Sequence, residues 1–191
     1  KKESLLLRTH AQTAGVSLTA QQPYNNVVRT ALQAFAAVLG GTQSLHTNSL
    51  DETYALPTEE AVTIALRTQQ IIAFESGADR VVDPLAGSYY VEWLTSEMER
   101  HALEHIRRID EMGGAVAGIE AGFQQGEIEQ AAYEYAKSID DDERVIVGLN
   151  KFATPVVGDP DIFPVDPELE RGQNASLTEF KAARDMALVD A

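Results

Sequence analysis

Two short stretches of the sequence are unusually rich in side chains that donate or accept hydrogen bonds. The first is RTHAQT, at residues 8–13, and the second is TQSLHTN, at residues 42–48. If each stretch is a strand, polar groups occupy both of its faces, so neither face reads as a simple apolar core face. Burying so many amides and imidazoles without partners would cost roughly 1–3 kcal/mol for each unsatisfied group. The two stretches therefore predict strands that line a polar channel for a long, hydrogen-bonding ligand.

A second candidate constellation is the segment HALEH, at residues 101–105. His101, Glu104 and His105 match the H-x-x-E-H pattern, in which two histidines bind zinc and the glutamate activates water. On a helical wheel, His105 falls within an apolar stripe and His101 falls at its edge. That stripe consists of Val91, Leu94, Met98, Ala102, Ile106 and Ile109. We interpret the segment as a helix that packs against the rest of the protein through this stripe. Zinc hydrolysis is the alternative, which stoichiometric zinc in the purified protein would favour.

Composition limits the class of protein. The chain has 191 residues, of which 44% are hydrophobic, enough for an ordinary globular core. It contains no cysteine, which excludes thiolate chemistry and leads us to expect the reducing cytoplasm. Its net charge of −15 argues against nucleic-acid binding, and no apolar run is long enough to predict a membrane span. Because the sequence starts without methionine and enters a hydrophobic strand at once, we expect a piece of a longer protein.

Two similar strand and helix units should position the polar stretches. We predict strands over Ser4–Thr13 and Thr42–Asn48, and helices from about Pro23 to Leu39 and from Pro57 to about Glu75. Strand, helix, strand, helix with short links predicts right-handed parallel crossovers and an α/β fold. The expected apolar stripes of the two helices are Val28, Ala31, Leu32, Phe35 and Leu39, then Val62, Ala65, Leu66, Gln69 and Ile72.

Beyond residue 77 the alternation of strands and helices stops. We predict a long helix from about Tyr90 to Met112 and a helical stretch from about Ala115 to Ser138, interrupted near Gly126. Arg144–Leu149 is a strand candidate, and the acidic, proline-containing remainder is expected to be a linker or a wrapping arm. The predicted division is 1–80 for the two β/α units, 81–152 for a helical extension that packs on them, and 153–191 for the arm.

The residues from RTHAQT to TQSLHTNSLDE, followed by ESGADRVVDPLAGSYYVEWL, closely resemble a known family. They are similar to the C-terminal part of the catalytic barrel of the methylmalonyl-CoA mutase family, the adenosylcobalamin-dependent acyl-CoA mutases. This resemblance implies that the chain supplies the last two β/α units of a (β/α)8 barrel. It also implies that the pantetheine arm of an acyl-CoA threads along the barrel axis, past the polar strands.

The resemblance implies roles for particular residues. His10 corresponds to a histidine that hydrogen-bonds the thioester and pantetheine region, and Gln12 to a glutamine where the substrate meets the cofactor. Gln43 and Ser44 match acyl-CoA contacts, and Glu52 matches a glutamate near the adenosyl ribose. His46 is expected to lie behind these residues. The implied reaction is a radical rearrangement of the carbon skeleton, with (R)-methylmalonyl-CoA converted to succinyl-CoA.

Departures from the family pattern limit what the resemblance implies. None of the four histidines lies in the Asp-x-His-x-x-Gly motif that supplies the lower axial ligand of cobalt, so we expect that ligand outside this chain. The expected partners are the N-terminal half of the barrel and a cobalamin-binding domain or subunit, and we expect the chain alone to be inactive. Val16 stands where methylmalonyl-specific members often have tryptophan. Isobutyryl-CoA, ethylmalonyl-CoA and 2-hydroxyisobutyryl-CoA therefore stay open as substrates, as does a non-catalytic interaction module.

Overall fold

Strands and helices both occur in the computed structural model, which describes residues 8–155 and 161–186. This mixture agrees with the predicted α/β class. Within these residues there are two strands, six α-helices and two short 3-10 turns, at Gly15–Ser17 and Ala78–Arg80. The strands and helices are β1 (His10–Gln12), α1 (Asn25–Leu39), β2 (Ser44–His46), α2 (Glu59–Glu75), α3 (Tyr89–Glu111), α4 (Ala115–Glu120), α5 (Phe123–Asp140) and α6 (Pro167–Ala183). No helix in the described ranges is long and apolar enough to cross a membrane.

The two strands pair in parallel, as the alternation of strands and helices predicted. His10 lies opposite Ser44, Ala11 opposite Leu45, and Gln12 opposite His46. The first four residues of the predicted strand Ser4–Thr13 lie outside the described residues. Both paired segments are shorter than the predicted strands, and the polar residues that follow each strand belong to loops.

The helix α1 buries a different face from the predicted one. Its buried residues are Asn26, Thr30 and Ala34, whereas Val28 is 59% exposed and Leu32 is 67% exposed. The apolar stripe predicted for α1 is therefore not the face that the described residues bury. The buried face carries small side chains that allow a close approach to β2 and α2, and the large aliphatic side chains point away from them.

The helix α2 buries only part of its predicted apolar stripe. Ala65 and Ile72 are buried as predicted, together with Ala61 and Thr68, but Val62 and Leu66 are about half exposed. The N-terminus of α2 is well defined because Thr58 accepts a hydrogen bond from the backbone N–H of Ala61 and is followed by two glutamates.

The second half of the chain departs from the predictions at several points. The helices α3 to α5 lie where helices were expected, but the break falls at Gly122, which has a φ of 74°, and Gly126 lies inside α5. The stripe predicted to be buried on α3 is not buried by the described residues: no residue of α3 is buried, and Met98 is 66% exposed. The difference on α3 arises because an apolar pattern records the period of a helix and not what covers it.

Arg144–Leu149 is not a strand. The segment folds into a turn around Asn150, whose side-chain oxygen accepts from the N–H of Ile146 at 2.8 Å and whose amide donates to the carbonyl of Arg144 at 2.8 Å. Only a single bridge, between Val147 and Lys151, resembles strand pairing here. The predicted arm contains the helix α6, and every residue from 161 to 186 is exposed.

A buried asparagine connects the loops that follow the two strands. Asn26 is fully buried at the start of α1. Its amide donates to the carbonyls of Thr19 and Leu50, at 2.8 and 2.9 Å. Its oxygen accepts from the N–H of Thr19 at 3.1 Å and from Arg29 at 2.7 Å. One side chain therefore fixes the loop after β1 against the loop after β2.

We expect Asn26→Ala to destabilise the protein by about 3 kcal/mol, because each buried group left without a partner costs about 1–3 kcal/mol. The measurement is the free energy of unfolding in urea. Asn174→Ala is the matched control, since Asn174 is exposed on α6, and it should change that free energy by less than about 0.5 kcal/mol. Equal stability of both variants would show that Asn26 does not hold the loops together.

Candidate functional site

Four polar side chains project from one face of the two-stranded sheet. In each strand the first and third residues are exposed and the middle residue is partly buried. Because the strands pair in register, His10 and Ser44 lie side by side, and Gln12 and His46 lie side by side. Ala11 and Leu45 point to the opposite face. The structure therefore brings the polar residues His10, Gln12 and Ser44 together on one face, whereas the prediction had polar groups on both faces of each strand.

His10 and Ser44 form the closest polar pair on this face. The ring nitrogen Nδ1 of His10 lies 2.5 Å from the hydroxyl oxygen of Ser44. Both residues are exposed. The polar atoms of this pair are therefore accessible to a ligand that lies along the face.

Gln43 is engaged differently from the prediction. Its side-chain oxygen accepts from the N–H of Thr9 at 2.6 Å, and its amide donates to the carbonyl of Gly41 at 2.6 Å. The side chain therefore binds the backbone at the start of the strand pair and is not part of the face that carries His10. Of the residues predicted to contact acyl-CoA, Gln43 is the one that lies off this face.

The ends of the strands lead to a buried hydrogen-bonded pair. The hydroxyl of Thr13 donates to the side-chain oxygen of Asn48 at 2.6 Å and accepts from the N–H of Asn48 at 2.9 Å. Both residues are buried. The side-chain nitrogen Nδ2 of Asn48 is buried and has no hydrogen-bond partner in the described structure.

Gly15 and Glu52 lie beside this unpartnered nitrogen. A methyl group at Gly15 would place its carbon 3.2 Å from Nδ2 of Asn48 and 3.5 Å from Oε1 of Glu52. A hydrogen-bond donor and an acceptor therefore flank the space next to Gly15, and an added methyl group would crowd the amide of Asn48. The polar stretch 42–48 includes Asn48, but nothing in its pattern shows that the side-chain amide lacks a partner.

The loop that carries Gly15 is fixed by α1. Gln33 accepts from the N–H of Ala14 at 2.6 Å and donates to the hydroxyl of Ser17 at 2.7 Å. At the tip of this loop the side chain of Val16 is 93% exposed. Val16 therefore makes little contact with the described residues, and it lies next to Gly15 at the end of the sheet where Glu52 approaches.

The HALEH segment does not assemble a metal site in the described residues. His101 lies 2.9 Å from Arg100 and 4.0 Å from Glu97, whereas His105 lies 3.9 Å from Glu127. A hydrogen bond from Arg100, together with its charge, lowers the pKa of Glu97. No three His, Asp or Glu side chains within 8–155 and 161–186 are arranged to share a metal ion.

Comparison with known proteins gives one family. A family model described as methylmalonyl-CoA mutase matches residues 1–191. Methylmalonyl-CoA mutase of Escherichia coli is 50% identical over 190 residues, which cover 99% of this chain and 27% of that protein. Methylmalonyl-CoA mutase of Cereibacter sphaeroides is 49% identical over 192 residues, covering 100% of this chain and 27% of that protein. The large subunit of 2-hydroxyisobutanoyl-CoA mutase of Aquincola tertiaricarbonis is 47% identical over 193 residues, covering 99% of this chain and 34% of that protein. The chain thus spans about a quarter to a third of the length of these relatives.

We expect Thr13→Val to destabilise the protein by about 1–3 kcal/mol, because the variant keeps the side-chain shape but leaves both polar groups of Asn48 without the Thr13 hydroxyl. The measurement is the free energy of unfolding. Thr63→Val is the control, since Thr63 is exposed on α2 and should change stability little. If the two variants are equally stable, the Thr13–Asn48 pair does not support the site.

Proposed function

The chain belongs to the methylmalonyl-CoA mutase family, and on that premise we propose that it is part of an adenosylcobalamin-dependent acyl-CoA mutase. In this proposal the substrate is (R)-methylmalonyl-CoA and the product is succinyl-CoA. The structural observation that carries the proposal is the polar face of β1 and β2, on which His10, Gln12 and Ser44 are exposed together. An acyl-CoA is long and rich in amide and carbonyl groups, so it suits a face of this kind.

We also propose that residues 1–80 form the last two β/α units of a (β/α)8 barrel. The parallel pairing of β1 with β2 and the exposed aliphatic side chains of α1 support this placement. Further strands of the barrel would extend the two-stranded sheet, and further helices would cover Val28 and Leu32. Residues 81–152 would then pack on the barrel, and residues 153–191 would form a linker or arm.

The proposed roles of the side chains are those that the family resemblance implies. His10 contacts the thioester and pantetheine region of the acyl-CoA, and Gln12 faces the cofactor from the last residue of β1. Gln43 and Ser44 belong to the part of the channel that holds pantetheine. Because Gln43 binds the backbone at Thr9 and Gly41, its contribution is to hold in shape the strand pair that carries His10 and Ser44.

The residues beyond the strands fit the ribose of the cofactor. A ribose hydroxyl both donates and accepts hydrogen bonds. The unpartnered amide of Asn48 and the carboxylate of Glu52 flank the open position at Gly15 and offer one donor and one acceptor. When bound, adenosylcobalamin supplies the radical chemistry that protein side chains cannot.

The side chains of this chain bind, orient and shield the reacting groups. A hydrogen bond from His10 would fix the acyl group along the channel. A closed barrel around β1 and β2 would exclude water, which protects reactive species from side reactions. The lower axial ligand of cobalt is assigned to another part of the protein or to a partner subunit, as is the N-terminal half of the barrel.

A second substrate has a specific observation in its favour. The chain is similar to a protein named as a 2-hydroxyisobutanoyl-CoA mutase large subunit, and its loop tip carries valine at residue 16. Val16 is exposed close to Gly15, where a bound acyl group would end. Turnover of methylmalonyl-CoA, 2-hydroxyisobutyryl-CoA, isobutyryl-CoA and ethylmalonyl-CoA by the full-length protein would decide among these substrates.

We expect Gln43→Ala and Glu52→Ala to separate kinetically in the full-length protein with its cobalamin-binding part. Gln43→Ala should raise the KM for acyl-CoA by about 2- to 10-fold, because a lost neutral hydrogen bond costs about 0.5–1.5 kcal/mol. Glu52→Ala should instead raise the Kd for adenosylcobalamin or lower kcat. Steady-state kinetics with acyl-CoA and cofactor varied separately measure both effects. Unchanged constants in both variants would count against these roles, and absence of turnover with every acyl-CoA would overturn the proposed function.

We expect Gly15→Ala to raise the Kd for adenosylcobalamin by about tenfold, because the added methyl group occupies the space between Asn48 and Glu52 and costs about one hydrogen bond. Cofactor binding is measured by the change in its visible absorbance. Gly126→Ala is the matched control: Gly126 lies inside α5 with no atom within 4 Å of the added methyl group. The Gly126→Ala variant should bind the cofactor with unchanged Kd and gain up to about 1 kcal/mol in free energy of unfolding. Equal cofactor affinity in the two variants would remove Gly15 from the site.

A further inference from the structure

We infer that Ser44 is a positioning residue for His10: its hydroxyl donates to Nδ1 and so presents Nε2–H of the imidazole to the acyl-CoA. The inference rests on the proposed function and adds to it. It specifies which ring nitrogen carries the proton in His10, the histidine proposed to contact the substrate. Ser44 then acts on the substrate through His10, and a direct contact with pantetheine becomes the competing outcome of the test.

The geometry singles out one nitrogen of the ring. His10 and Ser44 are direct register partners on the exposed face, and Nδ1 lies 2.5 Å from the serine oxygen. Within the described residues Nδ1 is the only atom of this ring with a hydrogen-bond partner. Nε2 is therefore the nitrogen left for a ligand that lies along the face.

The chemistry of the substrate decides the direction of the bond. A neutral imidazole has one nitrogen that donates and one that accepts. The oxygens of a thioester and of the pantetheine amides accept hydrogen bonds and cannot donate them. In this inference Nε2 donates to one of these oxygens and carries the proton, which leaves Nδ1 as the acceptor and the hydroxyl of Ser44 as the donor.

The backbone around Ser44 is fixed on both sides of the pair. The hydroxyl of Thr42 donates to the carbonyl of Ser44 at 2.9 Å, and the N–H of Ser44 donates to the carbonyl of Thr9 at 3.3 Å. Gln43 accepts from the N–H of Thr9, the residue before His10. The serine hydroxyl and the imidazole ring are therefore held side by side at paired positions of the two strands, as a positioning contact requires.

The first test is a comparison of Ser44→Ala with Ser44→Thr in the full-length protein with its cobalamin-binding part. Ser44→Ala should lower kcat by about 3- to 10-fold and change the KM for acyl-CoA by less than about 2-fold, because the lost hydrogen bond orients a group and does not bind substrate. Ser44→Thr keeps the hydroxyl and should restore most of kcat. Ser96→Ala removes an exposed serine hydroxyl on α3 and should match the unmodified protein. A rise in KM with unchanged kcat in Ser44→Ala would overturn the inference in favour of direct pantetheine binding.

The second test is a double-mutant cycle with His10→Ala. If Ser44 acts only through His10, adding Ser44→Ala to His10→Ala should change kcat by less than about 2-fold. Additive losses in the double variant would show that Ser44 acts independently of His10 and would overturn the inference.

The third test does not depend on turnover. The ring nitrogens of His10 are observed by NMR in full-length protein labelled with 15N-histidine, and the His10→Ala variant assigns the signals. We expect Nδ1 to resonate as the unprotonated nitrogen and Nε2 as the protonated one, with the two tautomers mixing in Ser44→Ala. A protonated Nδ1 would overturn the inference even if the protein is an active mutase. The expected tautomer in a protein that turns over no acyl-CoA would instead overturn the proposed function and leave the Ser44–His10 assignment standing.

Discussion

The arrangement of the candidate site depends on the burial of one amide, that of Asn26. Its donor and acceptor groups all bind the loops after β1 and β2 or the neighbouring Arg29. The loop after β1 carries Gly15, and the loop after β2 carries Glu52. A fully buried amide cannot exchange these partners for water, so it fixes the distance between the two loops. Arg29 also donates to the carbonyl of Val147 at 2.6 Å, which attaches the turn after α5 to the same point.

The polar residues in and after the two strands have two separate roles. On the exposed face, His10, Gln12, Ser44 and His46 carry groups that are free to meet a ligand. Past the strand ends, the polar groups bind one another inside the protein: Thr47 donates to the carbonyl of Ala65 at 2.8 Å, and Thr13 pairs with Asn48. The internal bonds make the loops rigid, and rigid loops are what a preorganised binding face requires.

The distribution of side-chain size on α1 shows which of its faces the described residues cover and which they leave exposed. Small and polar residues, Thr30 and Ala34 among them, face the strands and α2, where the backbone comes close. Large aliphatic residues such as Leu32 face outward and are not covered by the described residues. Contiguous exposed apolar surface of this kind is typical of interaction sites. It agrees with a chain that spans only part of the length of its relatives.

The sequence by itself determined the order of the strands and helices as far as α5, the parallel pairing and the polar character of the two strands. These follow from local signals: glycine and proline at helix ends, alternating strands and helices, and residues whose types do not suit an apolar core. The polar side-chain types marked His10, Gln12 and Ser44 as candidate contacts, but their place on one face follows from the register of the two strands.

Only the tertiary structure decided which face of α1 is buried, that Gln43 binds the backbone at Thr9, and that Nδ2 of Asn48 lacks a partner. A helical period shows that apolar residues share a face but not whether another element covers it, so it did not show that the described residues leave the stripes of α1 and α3 largely exposed. Hydrogen bonds between residues about 34 positions apart, such as Thr13–Asn48 and His10–Ser44, leave no periodic trace in the sequence. They exist because the chain folds back on itself in one register, which is a property of the packed structure.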